Sequence, residues 1–186
     1  MADKLGIYNG ALRLCRERKI KDLTENRKPR RMIDDVFADK NPVDYCLEQA
    51  QWQWATRTIK FEIDDGVETD FGYLYAFKKP DDYVRVVAVS FDEYFSEPIH
   101  NYADEADYFY ADSNILYVKY VSKSDNYGND MGLWPLTFQN LVEAFIAMEI
   151  VGDLTNSSRI IDMVEQTYMK RLNNAQNKDG VNRPTQ

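Results

Sequence analysis

The sequence predicts an α+β fold: a helical bundle built from N- and C-terminal helices with an antiparallel β region inserted between them. Three observations predict it. Apolar residues recur at three- and four-residue spacing before residue 57 and after residue 131. Between these limits the period falls to two. The period-two segments are joined by turns too short to hold crossover helices. The expected organisation is a bundle from 1–57 and 131–177, a β insertion at 58–130 and a flexible tail at 178–186.

In the first helix, about 5–16, Leu5, Tyr8, Ala11, Leu12 and Cys15 make one stripe. RERKIKDLTENRK then breaks the pattern. Thr24 or Asn26 can cap a second helix of about 27–38, whose first turn tolerates Pro29 and whose inner face is Met32, Ile33, Val36 and Phe37. Asn41 before Pro42 is a strong start signal for a third helix of about 42–57, which contains DYCLEQAQWQWATRT. On a continuous helix Trp52 and Trp54 stand about 200° apart and face different partners. The expectation is therefore Trp54 in the bundle, Trp52 toward the base of the β region or a neighbouring subunit, and Cys46 as a buried filler.

From Thr58 onward TIKFEI, FGYLYAF, YVRVVAVSF, DYFYA and ILYVKYV read as strands, separated by DDG, KKPDD, SEP and DSN. They predict one antiparallel sheet of four to six strands. After KSDNYGNDMG, Pro135 fits the first turn of a fourth helix that runs to about Val151 on Phe138, Leu141, Val142, Phe145 and Met148. A last helix, about 158–174, sets Ile161, Val164, Tyr168 and Leu172 on one side.

At 186 residues the chain fits one domain, and its excess of rings (thirteen Tyr, nine Phe, three Trp) suits large buried contacts within a core or between subunits. No run of about eighteen apolar residues occurs, so no membrane span is expected. Cys15 and Cys46, far apart and without a CxxC, read as buried thiols of a reduced compartment. The net charge of −8 is unevenly spread. Residues 1–60 carry thirteen Lys and Arg against nine Asp and Glu; residues 61–130 carry five against sixteen, and residues 131–186 five against six. The acidic middle third repels nucleic acid, whereas the first third attracts it.

Catalytic chemistry has little to stand on. His100 is the only histidine and no nucleophile motif adjoins it, while zinc needs more Cys and His than the chain owns. The carboxylates Asp64, Asp65, Glu68 and Asp70, and Asp104, Glu105, Asp107 and Asp112, lack the alternating spacing of a calcium loop, and DNYGND, which comes closer, lacks the closing Glu. No glycine-rich phosphate loop occurs. Neither enzyme activity nor a cofactor or metal is therefore expected. The basic run from Arg13 to Arg31, with Arg16, Arg18, Lys19, Lys21, Arg27, Lys28 and Arg30, leaves two readings. It is either a solvated or docking surface or, as the alternative function, a DNA-binding module gripping phosphates.

Three segments together, YNGALRLCRERKIKDLTENRKPRRMIDDVF, DYCLEQAQWQWATRT and FGYLYAFKKPDDYVRVVAVSFDEYF, resemble the head-to-tail adaptor proteins of tailed bacteriophages, called tail tubular protein A in short-tailed phages. The resemblance continues through YADEADYFYADSNILYVKYVSK and LWPLTFQNLVEAFIA, covering nearly all of residues 5–150 in order. Particular matches are Leu23, Thr24 and Glu25, Trp52, the turn Lys79, Pro80, Asp81 and Asp82, and Trp134 with Pro135.

The resemblance implies a virion structural protein without chemistry of its own. It would assemble as a homo-oligomeric ring, usually of twelve copies, between the capsid portal and a tail or nozzle protein. Assembly would take place in the host cytoplasm. DNA would pass through the ring's channel without sequence-specific binding; that the acidic residues of the middle third line this channel and let DNA slide is a separate hypothesis from their charge. Portal or subunit docking would fall to Arg27, Arg30, Arg31, Trp52, Val181, Arg183 and Pro184.

Overall fold

A computed structural model, in which residues 3–181 are described, contains five α-helices and two small antiparallel sheets, an α+β arrangement. Helix α1 (Lys4–Leu14) starts at Asp3, whose carboxylate accepts from the Gly6 amide at 2.6 Å, and buries Ile7, Tyr8, Ala11 and Leu12. It ends where Arg16 turns into the left-handed region at φ 60°. Helix α2 (Lys28–Lys40) has Pro29 in its first turn as expected, but its capping position is Arg27, which makes no side-chain cap. Thr24 and Asn26 are therefore not its caps. Asn41, at φ 38°, ends α2 and starts α3 (Pro42–Glu48), accepting from the Asp44 amide.

The third helix stops at Glu48, well before residue 57. A short 3-10 turn follows over Gln53–Ala55. Breaking the helix frees both indoles from the 200° separation that a straight helix would impose. Trp52 folds back so that its Nε1 donates to the Cys46 carbonyl at 3.0 Å, and Trp52 and Trp54 both meet Phe138 edge-on, at 5.2 and 4.8 Å. Burying a large ring is worth roughly 2–3 kcal/mol, against about 1 kcal/mol for each helical hydrogen bond forgone. The freed carbonyls also find long-range donors: Arg85 Nη1 reaches Glu48 O at 2.8 Å and Gln176 Nε2 reaches Gln49 O at 3.0 Å. Burial by distant partners thus ends this helix, without a glycine or proline.

The six strands form two sheets, where the sequence suggested one. Strands β1 (Thr56–Phe61), β6 (Leu116–Ser122) and β3 (Tyr83–Ser90) make the first, with β6 central. Strands β2 (Tyr75–Lys78), β5 (Tyr108–Ala111) and β4 (Ala103–Glu105) make the second. Phe61, Phe77, Val89, Phe109, Leu116, Val118 and Tyr120 pack into one apolar cluster of the β region. Two register shifts along β3 split its side chains: Val84 and Val87 pack against the helices, whereas Tyr83 and Val86 pack against the β cluster.

The turn Lys79–Pro80–Asp81–Asp82 joins strands of different sheets and is held from both. Lys79 Nζ donates to Asp104 Oδ1 at 2.5 Å and to Ala106 O at 2.6 Å. Asp82 accepts from Arg57 Nη1 at 3.0 Å, from Tyr120 Oη at 3.1 Å and from Ser122 Oγ. Burial alone would raise the Asp82 pKa, but hydrogen bonds from Ser122, Arg57 and Tyr120 outweigh it and hold the carboxyl below its usual range.

Helix α4 (Leu136–Leu154) is buried nearly all round and packs against α1, α2, α3 and α5, which makes it the axis of the helical part. Pro135 sits just outside it, at the cap. Helix α5 (Ser158–Val181) lies along α4 and runs past the expected end at residue 174. Residues 178–181, placed in the tail by the sequence reading, are helical because Asp179 on the same turn anchors the helix to the Gln53 amide at 3.0 Å.

Candidate docking surfaces

The basic run is less available than its charge suggests. Arg27 donates to the carbonyls of Arg18 and Lys19 and stands 3.7 Å from both Glu17 and Glu25. Arg30 donates to Leu23 O and pairs with Asp34, which also accepts from Tyr8 Oη at 2.7 Å. These two cations tie the 16–27 loop to α2, so the structure assigns them internal work. Arg31, with Arg16, Arg18, Lys19, Lys21 and Lys28, is exposed.

Trp52 does not lie on a docking surface, because only 1% of it is exposed. With Trp134, whose ring meets Phe138 at 5.2 Å and whose Nε1 donates to Gly128 O, all three tryptophans converge on one phenylalanine. Trp54 therefore packs on Phe138 of α4, and Cys46 is fully buried, but Trp52 packs on the same ring instead of turning to the β region or another subunit. A cavity of about 330 Å³ opens beside this cluster, between Trp54, Pro135 and the end of α5. The Trp54 Nε1 is buried and finds no hydrogen-bond acceptor among the described residues. At the end of α5 Val181 is 83% exposed; Arg183 and Pro184 lie outside the described residues.

The β region carries its acidic groups outward. Asp65, Glu68, Asp70, Asp104, Glu105, Asp107 and Asp112 are exposed, while Asp64 accepts from Tyr108 Oη at 3.1 Å. His100 is exposed as well. Among the described residues no group of three His, Cys, Asp or Glu side chains is placed to hold a metal, and no helix is long and apolar enough to cross a membrane. Burial pushes the Cys15 thiol up to about 12, with Glu17 adding to the shift, and burial raises Cys46 too.

Two features were not read from the sequence. One is Glu143, 3% exposed in the middle of α4, which lies 3.3 Å from Arg171 Nη1, 3.7 Å from Arg13 Nη2 and accepts from Gln139 Nε2. Gly10 makes room for it, since a Cβ there would fall 2.1 Å from Glu143 Cδ. A lone glutamate within LVEAFIAM, opposite a helical glycine, is the signal that could have found the pair. The other is a set of exposed apolar side chains: Leu133 and Leu136 before and at the start of α4, Phe71 and Leu74 before β2, and Phe91 and Tyr94 after β3. Comparison of the chain with protein-family models and with curated proteins finds no match.

Proposed function

We propose that this chain is a virion structural protein, a ring-forming head-to-tail adaptor that joins a capsid portal to a tail or nozzle protein. In this reading it assembles in the host cytoplasm and resides at the head–tail junction, and it catalyses no reaction. The observation that carries it is the ordered set of segments spanning nearly all of residues 5–150. The finer fold of that class, a helical bundle with an inserted β region, is supported by the two separate apolar clusters and by α4 packing on helices from the far side of the β region.

Two structural features favour assembly over DNA gripping. Arg27 and Arg30, central to the basic run, are engaged within the chain. Exposed leucines and aromatics stand on both the helical and the β part, as subunit contacts require. DNA passing through a channel would meet acidic side chains that offer no counterion release. The test is electron microscopy of the purified chain, alone and with isolated portal. Rings, in particular of twelve copies, are expected. A monomer under both conditions that binds free DNA with a steep salt dependence would instead favour the DNA-binding alternative.

A further inference from the structure

Two exposed features lie on different parts of the chain. The first is the loop after β3. The Asp92 carboxylate accepts from Ser90 Oγ at 2.9 Å, from the Tyr94 amide at 2.9 Å and from the Ser96 amide at 3.2 Å. Phe95 sits at φ 56°, where a bulky residue rarely goes, and is held there by burial and by Lys119, whose Nζ lies 4.2 Å from its ring centroid. This preset turn projects Tyr94, 81% exposed, with Phe91 beside it and the exposed Glu93 and Glu97 on either flank. A turn whose backbone is already fixed loses little freedom on binding.

The second feature is a cleft of about 440 Å³ between α1 and the start of α4. Its rim carries Leu136, 69% exposed, together with Leu5 and the exposed cations of Arg13 and Lys19. Of the two carboxylates that line it, Glu143 is paired with both Arg171 and Arg13 and accepts from Gln139, and Asp3 accepts from the Gly6 amide, which leaves Lys19 as the lining cation outside these pairs. The cleft therefore offers the apolar side chains of Leu136 and Leu5 beside the exposed cation of Lys19, opposite in charge to the loop's glutamates.

We infer that the Tyr94 loop of one copy seats in the α1–α4 cleft of a second copy of this chain. The phenol ring packs on Leu136 and on the carbon stem of Lys19, whose cation meets Glu93. The loop and cleft are different surfaces, so the contact is heterologous: each copy gives its loop to one neighbour and its cleft to the other, and the chain of contacts closes into a ring if the rotation permits. This inference rests on the ring-forming reading and names the surfaces that would build the ring.

Sedimentation velocity of the full chain tests it, with Tyr94→Ala and Leu136→Asp as exposed substitutions and circular dichroism to verify folding. Each variant is expected to self-associate at least about tenfold more weakly than wild type. Mixed one to one, the two variants should form a dimer and stop, because one retains an intact cleft and the other an intact loop. Glu93→Lys and Lys19→Glu should each weaken association and, combined in one chain, restore it. Rings of both variants indistinguishable from wild type would overturn this inference and leave the adaptor reading standing, as would a mixture that remains monomeric. A wild-type chain that stays monomeric both alone and with portal would overturn both.

Discussion

Replacing Phe138 by Ala removes the one ring on which all three tryptophans converge, and its effect can be worked out from the structure. Phe138 is fully buried and meets Trp52, Trp54 and Trp134 edge-on at 5.2, 4.8 and 5.2 Å. Truncating a buried phenylalanine costs about 3–5 kcal/mol, and each lost aromatic contact adds roughly 0.5–1.5 kcal/mol beyond the area term. Three such contacts and little room to collapse between rigid indoles place this site near the top of the range, about 5 kcal/mol. With a urea dependence of about 2 kcal/mol per molar, the unfolding midpoint falls by about 2.5 M. The assay is urea denaturation followed by tryptophan fluorescence, which reports on this cluster directly. Met169→Ala, at an exposed position, serves as the control. A Phe138→Ala midpoint within about 0.5 M of that control would refute the convergence of the three indoles as a stabilising centre.

Three further outcomes follow from the structure. Gly10→Ala forces a methyl into the Glu143 carboxylate and should cost about 1–3 kcal/mol, with much of the loss recovered in a Gly10→Ala, Glu143→Ala double variant; a strictly additive cycle in thermal melts would contradict the close approach. Asp82 has its pKa depressed in the folded state, so its hydrogen bonds contribute stability that is present above the unfolded value of about 3.9 and is lost as pH falls through the folded value. The stability gap between wild type and Asp82→Asn, read from urea midpoints, should therefore be steady near neutrality and shrink below about pH 4; a gap that widens in acid would reverse the sign. Cys15 and Cys46 are buried with raised pKa values, so a thiol reagent at pH 8 should label neither until the chain is unfolded, and rapid native labelling would contradict their burial.

Local signals carried much of this fold. The apolar stripe of α1, the Asn41–Pro42 start of α3 and the continuous apolar run of α4 each depend on residues a few positions apart. What escaped depends on distant partners. No residue between Val43 and Thr56 is a glycine or proline, yet α3 ends at Glu48 because Phe138, Arg85 and Gln176 reward the break. The turn Lys79–Asp82 was legible as a turn, but its chemistry does not say that it links two sheets, a matter settled by β2 pairing with β5 while β3 pairs with β6.

The surfaces were harder still. Arg27 and Arg30 read as available charge, and only the carbonyls of Arg18, Lys19 and Leu23 show how they are used. Trp52 read as a ring turned to the β region or a neighbouring subunit, because a straight helix would have set it about 200° from Trp54. Exposed Leu136 is hard to tell from a core leucine in sequence, since apolar type shows no direction when it stands at the first position of a helix.

The most direct measurement mixes the purified chain with DNA-filled capsids that carry a portal but no tail, followed by imaging of the portal vertex. An adaptor adds a ring of density beneath the portal and leaves the rest of the shell bare. Portal vertices unchanged at saturating protein, with the chain instead bound along released DNA in low salt, would contradict the assignment and return the basic segment Arg13 to Arg31 to the centre of its function.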